Sequence, residues 1–184
     1  MSDLDRWAVP LVNRLTELAD PGNPDRAALA HLRRGLCGSP DYALARVGWL
    51  FRSVRDSADD RELDSAILVA GLFAWVKGDC PQNRGANVGR AFGHGLRDDD
   101  KKQREKRFTD LLDTDREELP YKLRQAISLI ARDRDGVGLD WVMLIHDLVR
   151  WDDPERGVQK KWARGFWLNP RPESETVEEA IATP

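Results

Sequence analysis

Apolar residues in this chain recur every three or four positions almost from end to end, a period that admits little besides helices. Leu4, Trp7, Leu11, Leu15 and Leu18 form the first stripe; Ser2 with Asp5 resembles a capping pair at its start, and Pro21-Gly22-Asn23-Pro24 ends it. Asn23 is placed to cap and Pro24 to open a second helix, which runs to about Leu36 and stops at Gly38. Ser39-Pro40 repeats the start signal for a helix through Ala43, Val47, Leu50, Phe51 and Val54. A strongly apolar helix over about 60–77 follows, through Leu63, Ile67, Ala70, Phe73 and Ala74. The stretch 78–85 mixes Gly, Asp, Pro, Gln and Asn without apolar period and is the expected domain boundary.

Beyond it lie 86–95 and a charged helix over about 99–113 with Phe108, Leu111 and Leu112. Thr114 or Asp115 caps the next helix, which buries Leu119, Leu123, Ile127 and Ile130. A loop at 136–138 leads to a helix capped by Asp140, with Val142, Ile145, Leu148 and Val149. The last helix has Val158, Trp162 and Phe166 at i, i+4 and i+8. No strand pattern of useful length interrupts the series. The expected fold is all-α, about eight to nine helices in two small packed bundles, 1–80 and 84–168, with a flexible acidic tail over 169–184.

Composition narrows the function. The 184 residues are 41% hydrophobic and 33% charged, enough for a core beneath a solvated surface. The longest apolar run, 66–76, falls short of the roughly 20 residues of a bilayer span. The N-terminus lacks the basic start and apolar segment of a secretory signal, so the cytoplasm is the expected location. Cys37, Cys80, His31, His94 and His146 show no metal-ligand spacing, and no cofactor is expected. Asp98, Asp99 and Asp100 fan out by about 100° each on a helix and cannot converge on one metal. No enzyme signature emerges. The tryptophans fall mostly on apolar stripes, as core or subunit interface would require.

Formal net charge is −3, but the tail after Leu168 accounts for all of it, leaving 28 residues of each sign in the remainder. Of that remainder, 80–168 holds 18 basic and 16 acidic residues. Glycines 85, 89 and 93 fall four apart, which on a helix gives one face for close backbone approach; the spacing of a phosphate-cradling loop is absent. The run 97–107 holds six basic and four acidic residues. Its Lys101, Arg104 and Arg107 fit a phosphate-binding ridge, and a solvated helix with local ion pairs fits as well. Arg124, Ser128 and Arg132 form a polar stripe that fits a phosphate grip, or two solvated arginines.

The ordered set Val88-Gly89-Arg90-Ala91-Phe92, Arg104-Glu105-Lys106-Arg107-Phe108, Leu111-Leu112, Asp115-Arg116-Glu117-Glu118-Leu119, Leu123-Arg124, Leu139-Asp140-Trp141, Leu148 with Trp151, and Trp162-Ala163-Arg164-Gly165-Phe166 resembles the CasB small-subunit family of the type I-E CRISPR complex, Cascade. The resemblance covers about 84–168; in the first half it rests on Arg33-Arg34 and the helix 60–77. It implies a non-catalytic, two-bundle subunit of an antiviral complex, present as two copies head to tail against the large and backbone subunits. That subunit would bind nucleic acid (crRNA and the target or displaced DNA strand) and stabilise the R-loop, with no membrane and no small-molecule substrate. Arg34, Arg90, Arg116 and Arg124 match basic places in the family pattern; Arg104, Arg107, Lys160 and Lys161 lie in segments that are basic there. Two alternatives stay open: a scaffold without nucleic-acid contacts, and a stand-alone nucleic-acid-binding regulator; the Thr114-Asp115 break resembles a helix-turn-helix, but both flanking helices are too long and too apolar on one face for one. Arg116 and Arg124, on no apolar stripe, are expected to tolerate reversal to Glu without loss of fold.

Overall fold

The first stripe folds as its period dictates: helix α1 (Asp3–Leu18) buries Trp7, Ala8, Leu11, Val12, Leu15 and Leu18. The computed structural model describes residues 3–55, 59–94, 101–133 and 136–168. Ser2, and with it the capping pair, lies outside them, as do Asp98–Asp100 and the tail. Helix α2 (Arg26–Cys37) is capped by Asp25, whose side chain accepts from the Ala28 N–H at 2.9 Å, and not by Asn23. A carboxylate complements the helix dipole better than an amide.

Ser39 and Pro40 start α3 (Pro40–Val47) as expected. The helix anticipated through Val54 breaks at Gly48 into a 3-10 turn (Gly48–Phe51) and a last turn α4 (Arg52–Arg55), glycine being a poor helix former. Asp59 caps α5 (Asp60–Trp75) through the Glu62 N–H at 2.8 Å. This helix ends two residues early because Lys77 and Gly78 turn left-handed, with φ of 54° and 82°. It is buried on nearly every side and packs against α1, α2, α8 and α9.

The second half supplies α6 (Val88–His94), α7 (Lys101–Leu112), α8 (Leu119–Arg132), α9 (Trp141–Val149) and α10 (Gly157–Trp167). With 40–55 taken as one broken helix, the described residues form nine helices, an all-α fold. None of them is long and apolar enough to cross a membrane.

The segment 80–86 does not hang free between the halves. The Asn83 N–H donates to the Leu139 carbonyl and the Leu139 N–H to that of Pro81, both at 3.0 Å; the Asp140 N–H reaches Ala86 at 2.8 Å. Gln82 bonds the Asp140 carboxylate and the Trp141 N–H, and Trp141 Nε1 donates to the Cys80 carbonyl at 2.9 Å. Trp141 also meets Phe73 of α5 edge to face at 5.2 Å. A single apolar cluster accordingly runs from Trp7 in α1 to Phe166 in α10.

Asp140 holds this junction. Its buried carboxylate accepts from Gln82 Nε2 (2.9 Å), the Gly85 N–H (2.8 Å) and the Met143 N–H that starts α9 (3.1 Å). Asp140→Ala strands those donors and is expected to cost about 2 kcal/mol. A lower urea midpoint is the readout, and an unchanged one would reduce the junction to a surface loop.

Two of the three spaced glycines do what their spacing suggests. A Cβ on Gly89 or Gly93 would meet the carbonyl oxygens of Trp162 or Phe166 on α10 at 1.8 and 3.1 Å. Gly85 instead makes the left-handed turn before α6, with φ of 83°. The tryptophans fall mostly in the core, as their apolar stripes require. Trp7, Trp141, Trp151 and Trp162 are core, whereas Trp49, Trp75 and Trp167 are exposed.

Candidate nucleic-acid interface

Helix α8 turns one polar edge outward, with Arg124, Ser128 and Arg132 one turn apart along it. Trp75 at the end of α5 and Arg107 on α7 face that edge, and with Gln125 and Leu129 these side chains line an open groove of about 310 Å³. Three guanidinium groups and no carboxylate are among the lining residues. Arg107 and Arg132 are exposed and have no carboxylate partner among the described residues. Rigidly spaced guanidinium groups of this kind suit phosphate oxygens, which they can bind bidentately.

Arg124 is held in place. Its guanidinium sits 5.0 Å from the Trp75 ring centroid and 5.4 Å from that of Tyr121, and it donates to Cys37 Sγ of α2 at 3.3 Å. Trp75 is fixed in turn, its Nε1 donating to Ser128 Oγ at 2.9 Å, while that hydroxyl donates to the Arg124 carbonyl at 2.7 Å. Trp75 remains 38% and Tyr121 53% exposed.

Other expected cations fall into two groups. Arg34, Arg90 and Lys160 are exposed. Arg34 lies one turn before Cys37 on α2 and donates to Tyr42 Oη at 3.4 Å, a bond that raises its pKa above the ordinary arginine value. The second group is engaged internally. Arg104 covers the Phe92 ring at 5.8 Å and reaches the Phe92 carbonyl at 3.5 Å. Arg116 donates to Asp152 at 2.6 Å and to the Leu148 carbonyl at the end of α9 at 2.7 Å. The expected tolerance of Arg116 to reversal is therefore corrected: off the apolar stripe, it still ties the turn before α8 to the end of α9. Lys161 pairs with the buried carboxylate of Asp147, which also accepts from Trp162 Nε1 at 2.6 Å. The side chain of Lys101 lies outside the described residues.

The Asp147 pair has a pH signature. Burial raises its carboxyl pKa, and Lys161 and Trp162 pull it part of the way back. In Lys161→Met the native carboxyl rises further, so between the ordinary aspartate value and the raised one the folded chain binds more protons than the unfolded chain. Stability then falls as pH rises through that window. The variant is expected to lose about 2 kcal/mol at neutral pH, less than for a fully buried pair because Lys161 is partly solvated. Part of the loss should return as pH falls through that window, and thermal midpoints across pH read the effect.

Neither cysteine resembles a nucleophile in a site: Cys80 is buried and its thiol pushed up to about 12 by that burial, and Cys37 is occupied by Arg124. At the Thr114-Asp115 break, residues 113–118 separate α7 from α8 and are bonded to Arg156 and Trp151, so the tight turn of a helix-turn-helix is absent there.

Periodicity could not single out Trp75, because α5 is buried almost all round and shows no polar face. Tyr121 carried a signal: three residues before Arg124, it falls on the polar edge of α8.

Residues 28–167, which include every lining residue of the groove, match the family model described as CRISPR-associated protein Cse2. The CRISPR-associated protein Cse2 of Thermus thermophilus is 37% identical over 123 residues, and the match spans 66% of this chain and 66% of that relative's length. The crystal structure of CasB from Thermus thermophilus superposes with a TM-score of 0.70 at 31% identity, over 92% of this chain and 100% of that one. A chain of a CRISPR RNA-guided surveillance complex shares the fold, with a TM-score of 0.65 at 23% identity over 90% of this chain and 93% of that one.

Proposed function

This chain belongs to the Cse2 (CasB) family of CRISPR-associated proteins, and from that premise we propose that it is the non-catalytic small subunit of a type I-E surveillance complex, Cascade, in antiviral defence. In this reading it binds a nucleic-acid strand in the groove between α5, α7 and α8 and so stabilises the R-loop. The observation that carries the reading is the groove itself, where Arg107, Arg124 and Arg132 converge with no carboxylate in the lining. Its partners are the large and backbone subunits, a second copy of the chain, the crRNA, and the target or displaced DNA strand; its location is the cytoplasm.

The physical task is modest. The guide–target heteroduplex is about as stable as the duplex it replaces, so a few phosphate contacts to one strand can tip the exchange. Each contact releases counterions and weakens with salt. A chain of net charge −3 can do this because its cations are gathered locally, while its acidic remainder opposes binding elsewhere. Arg34, Arg90 and Lys160 extend the same surface role, whereas Arg104, Arg116 and Lys161 chiefly position the helices.

The test is R-loop formation by the complex assembled with Arg107→Glu and Arg132→Glu. Exposed Trp49, Trp167 and Leu168 favour a second reading, in which the chain is an assembly subunit alone. That reading places the loss at Trp49→Ala or Trp167→Ala, as complexes that elute without the subunit on gel filtration, and leaves the arginine variant fully active.

A further inference from the structure

We propose that Trp75 and Tyr121 make this groove a binding site for unpaired bases, so that it takes single strands and discriminates against duplex. The proposal rests on the groove being a strand-binding site and names what decides its choice of strand.

Both rings contact Arg124, Trp75 from within the groove's lining and Tyr121 from beside it, and both are exposed. Holding Arg124 uses one contact of each ring, yet Trp75 and Tyr121 stay 38% and 53% exposed, apolar surface that phosphate pairing does not use. Unpaired bases do, because their faces stack on tryptophan, tyrosine and the guanidinium plane alike. In a duplex those faces are already stacked on neighbouring base pairs and only phosphates and base edges are open to a protein, so the rings gain no stacking from it. Trp75 is also held by Ser128 before any ligand arrives, which lowers the ordering cost of stacking. Arg124, fixed against both rings, places a phosphate-binding cation beside the stacked base. Gln125 in the lining tolerates any base edge, consistent with stacking that is indifferent to sequence.

The test uses the full chain, an oligothymidylate carrying one 2-aminopurine, and a duplex of the same length, each titrated over a salt series. Trp75→Leu and Tyr121→Leu are each expected to weaken single-strand binding by about tenfold. The salt slope should hold, because stacking releases no counterions, and duplex binding should fall clearly less than single-strand binding, since a duplex loses only the placement of Arg124. Trp75→Phe and Tyr121→Phe should retain most of the affinity. Bound 2-aminopurine should be quenched by the unaltered chain and the Phe variants, and less by the Leu variants. Arg107→Gln with Arg132→Gln should instead weaken both ligands and flatten the salt slope. Tyr121, more than half exposed, guards against a result due to unfolding, and circular dichroism checks each variant.

If the Leu variants bind single strands as well as the unaltered chain while the arginine variant binds poorly, stacking is wrong and the strand-binding groove stands. Equal losses for duplex and single strand also overturn stacking. If the arginine variant too binds normally, the groove reading falls and the inference with it.

Discussion

Gly89→Ala is expected to destabilise the fold by about 3 kcal/mol or more, lowering the thermal midpoint of a chain this size by about 6–12 °C. The added Cβ would lie 1.8 Å from the carbonyl oxygen of Trp162 and 2.6 Å from its carbonyl carbon. The obstacle is backbone, which no rotamer change can move aside. From the other side, a Cβ on Gly165 would meet the Asn87 side chain at 2.5 Å and the Arg90 amide nitrogen at 2.9 Å, so α6 and α10 touch main chain to main chain. Relief requires α10 to back away, which disturbs the Phe108–Phe166 stack at 4.2 Å and the bond from Trp162 to buried Asp147. Gly48→Ala is the control: its Cβ meets nothing within 4 Å, and removing a flexible glycine should leave stability equal or slightly higher. If Gly89→Ala melts with the unaltered chain, the two helices are not in backbone contact.

Arg107→Glu with Arg132→Glu is expected to weaken single-strand binding at least about a hundredfold. Hydrogen bonds to charged groups contribute about 1.5–3 kcal/mol each, and two such contacts become repulsive. The logarithmic salt slope should fall by about 1.4, two phosphates at about 0.7 each. Neither side chain has a carboxylate partner among the described residues, so the thermal midpoint should hold within about 2 °C. R-loop yield by the assembled complex should drop in parallel and most sharply at higher salt. A yield equal to that of the unaltered complex across the salt series would remove these two arginines from the proposed role.

Most of the helical layout was legible because local rules and packing agree. Ser39-Pro40 and Asp140 start helices where their chemistry says they should, and the i, i+4, i+8 residues of α10 are buried. The misses have local causes. Asp25 outcompeted Asn23 as a cap, and Gly48 interrupted a stripe whose apolar residues are buried all the same. The site was legible only in part. Arg124, Ser128 and Arg132 are one edge of one helix, so spacing alone aligned them. That Arg107 and Trp75 complete the groove depends on how three helices pack, and no spacing within one helix encodes it. Arg116 and Lys161 look like surface cations in the sequence because their partners, Asp152 and Asp147, are set by tertiary contacts.

The junction between 80–86 and 137–141 sets a schedule for the chain as it is made. Gln82 leaves the ribosome 58 residues before Asp140, a wait of about 3–12 s at ordinary rates of synthesis. Through that interval Phe73, which Trp141 later covers, and the carbonyls of Cys80 and Pro81 have no partner from the second half. The nascent first half therefore carries an unfinished apolar surface. Its completion waits on Leu139, Asp140 and Trp141, which arrive together and close the hydrogen bonds and the ring contact in one step.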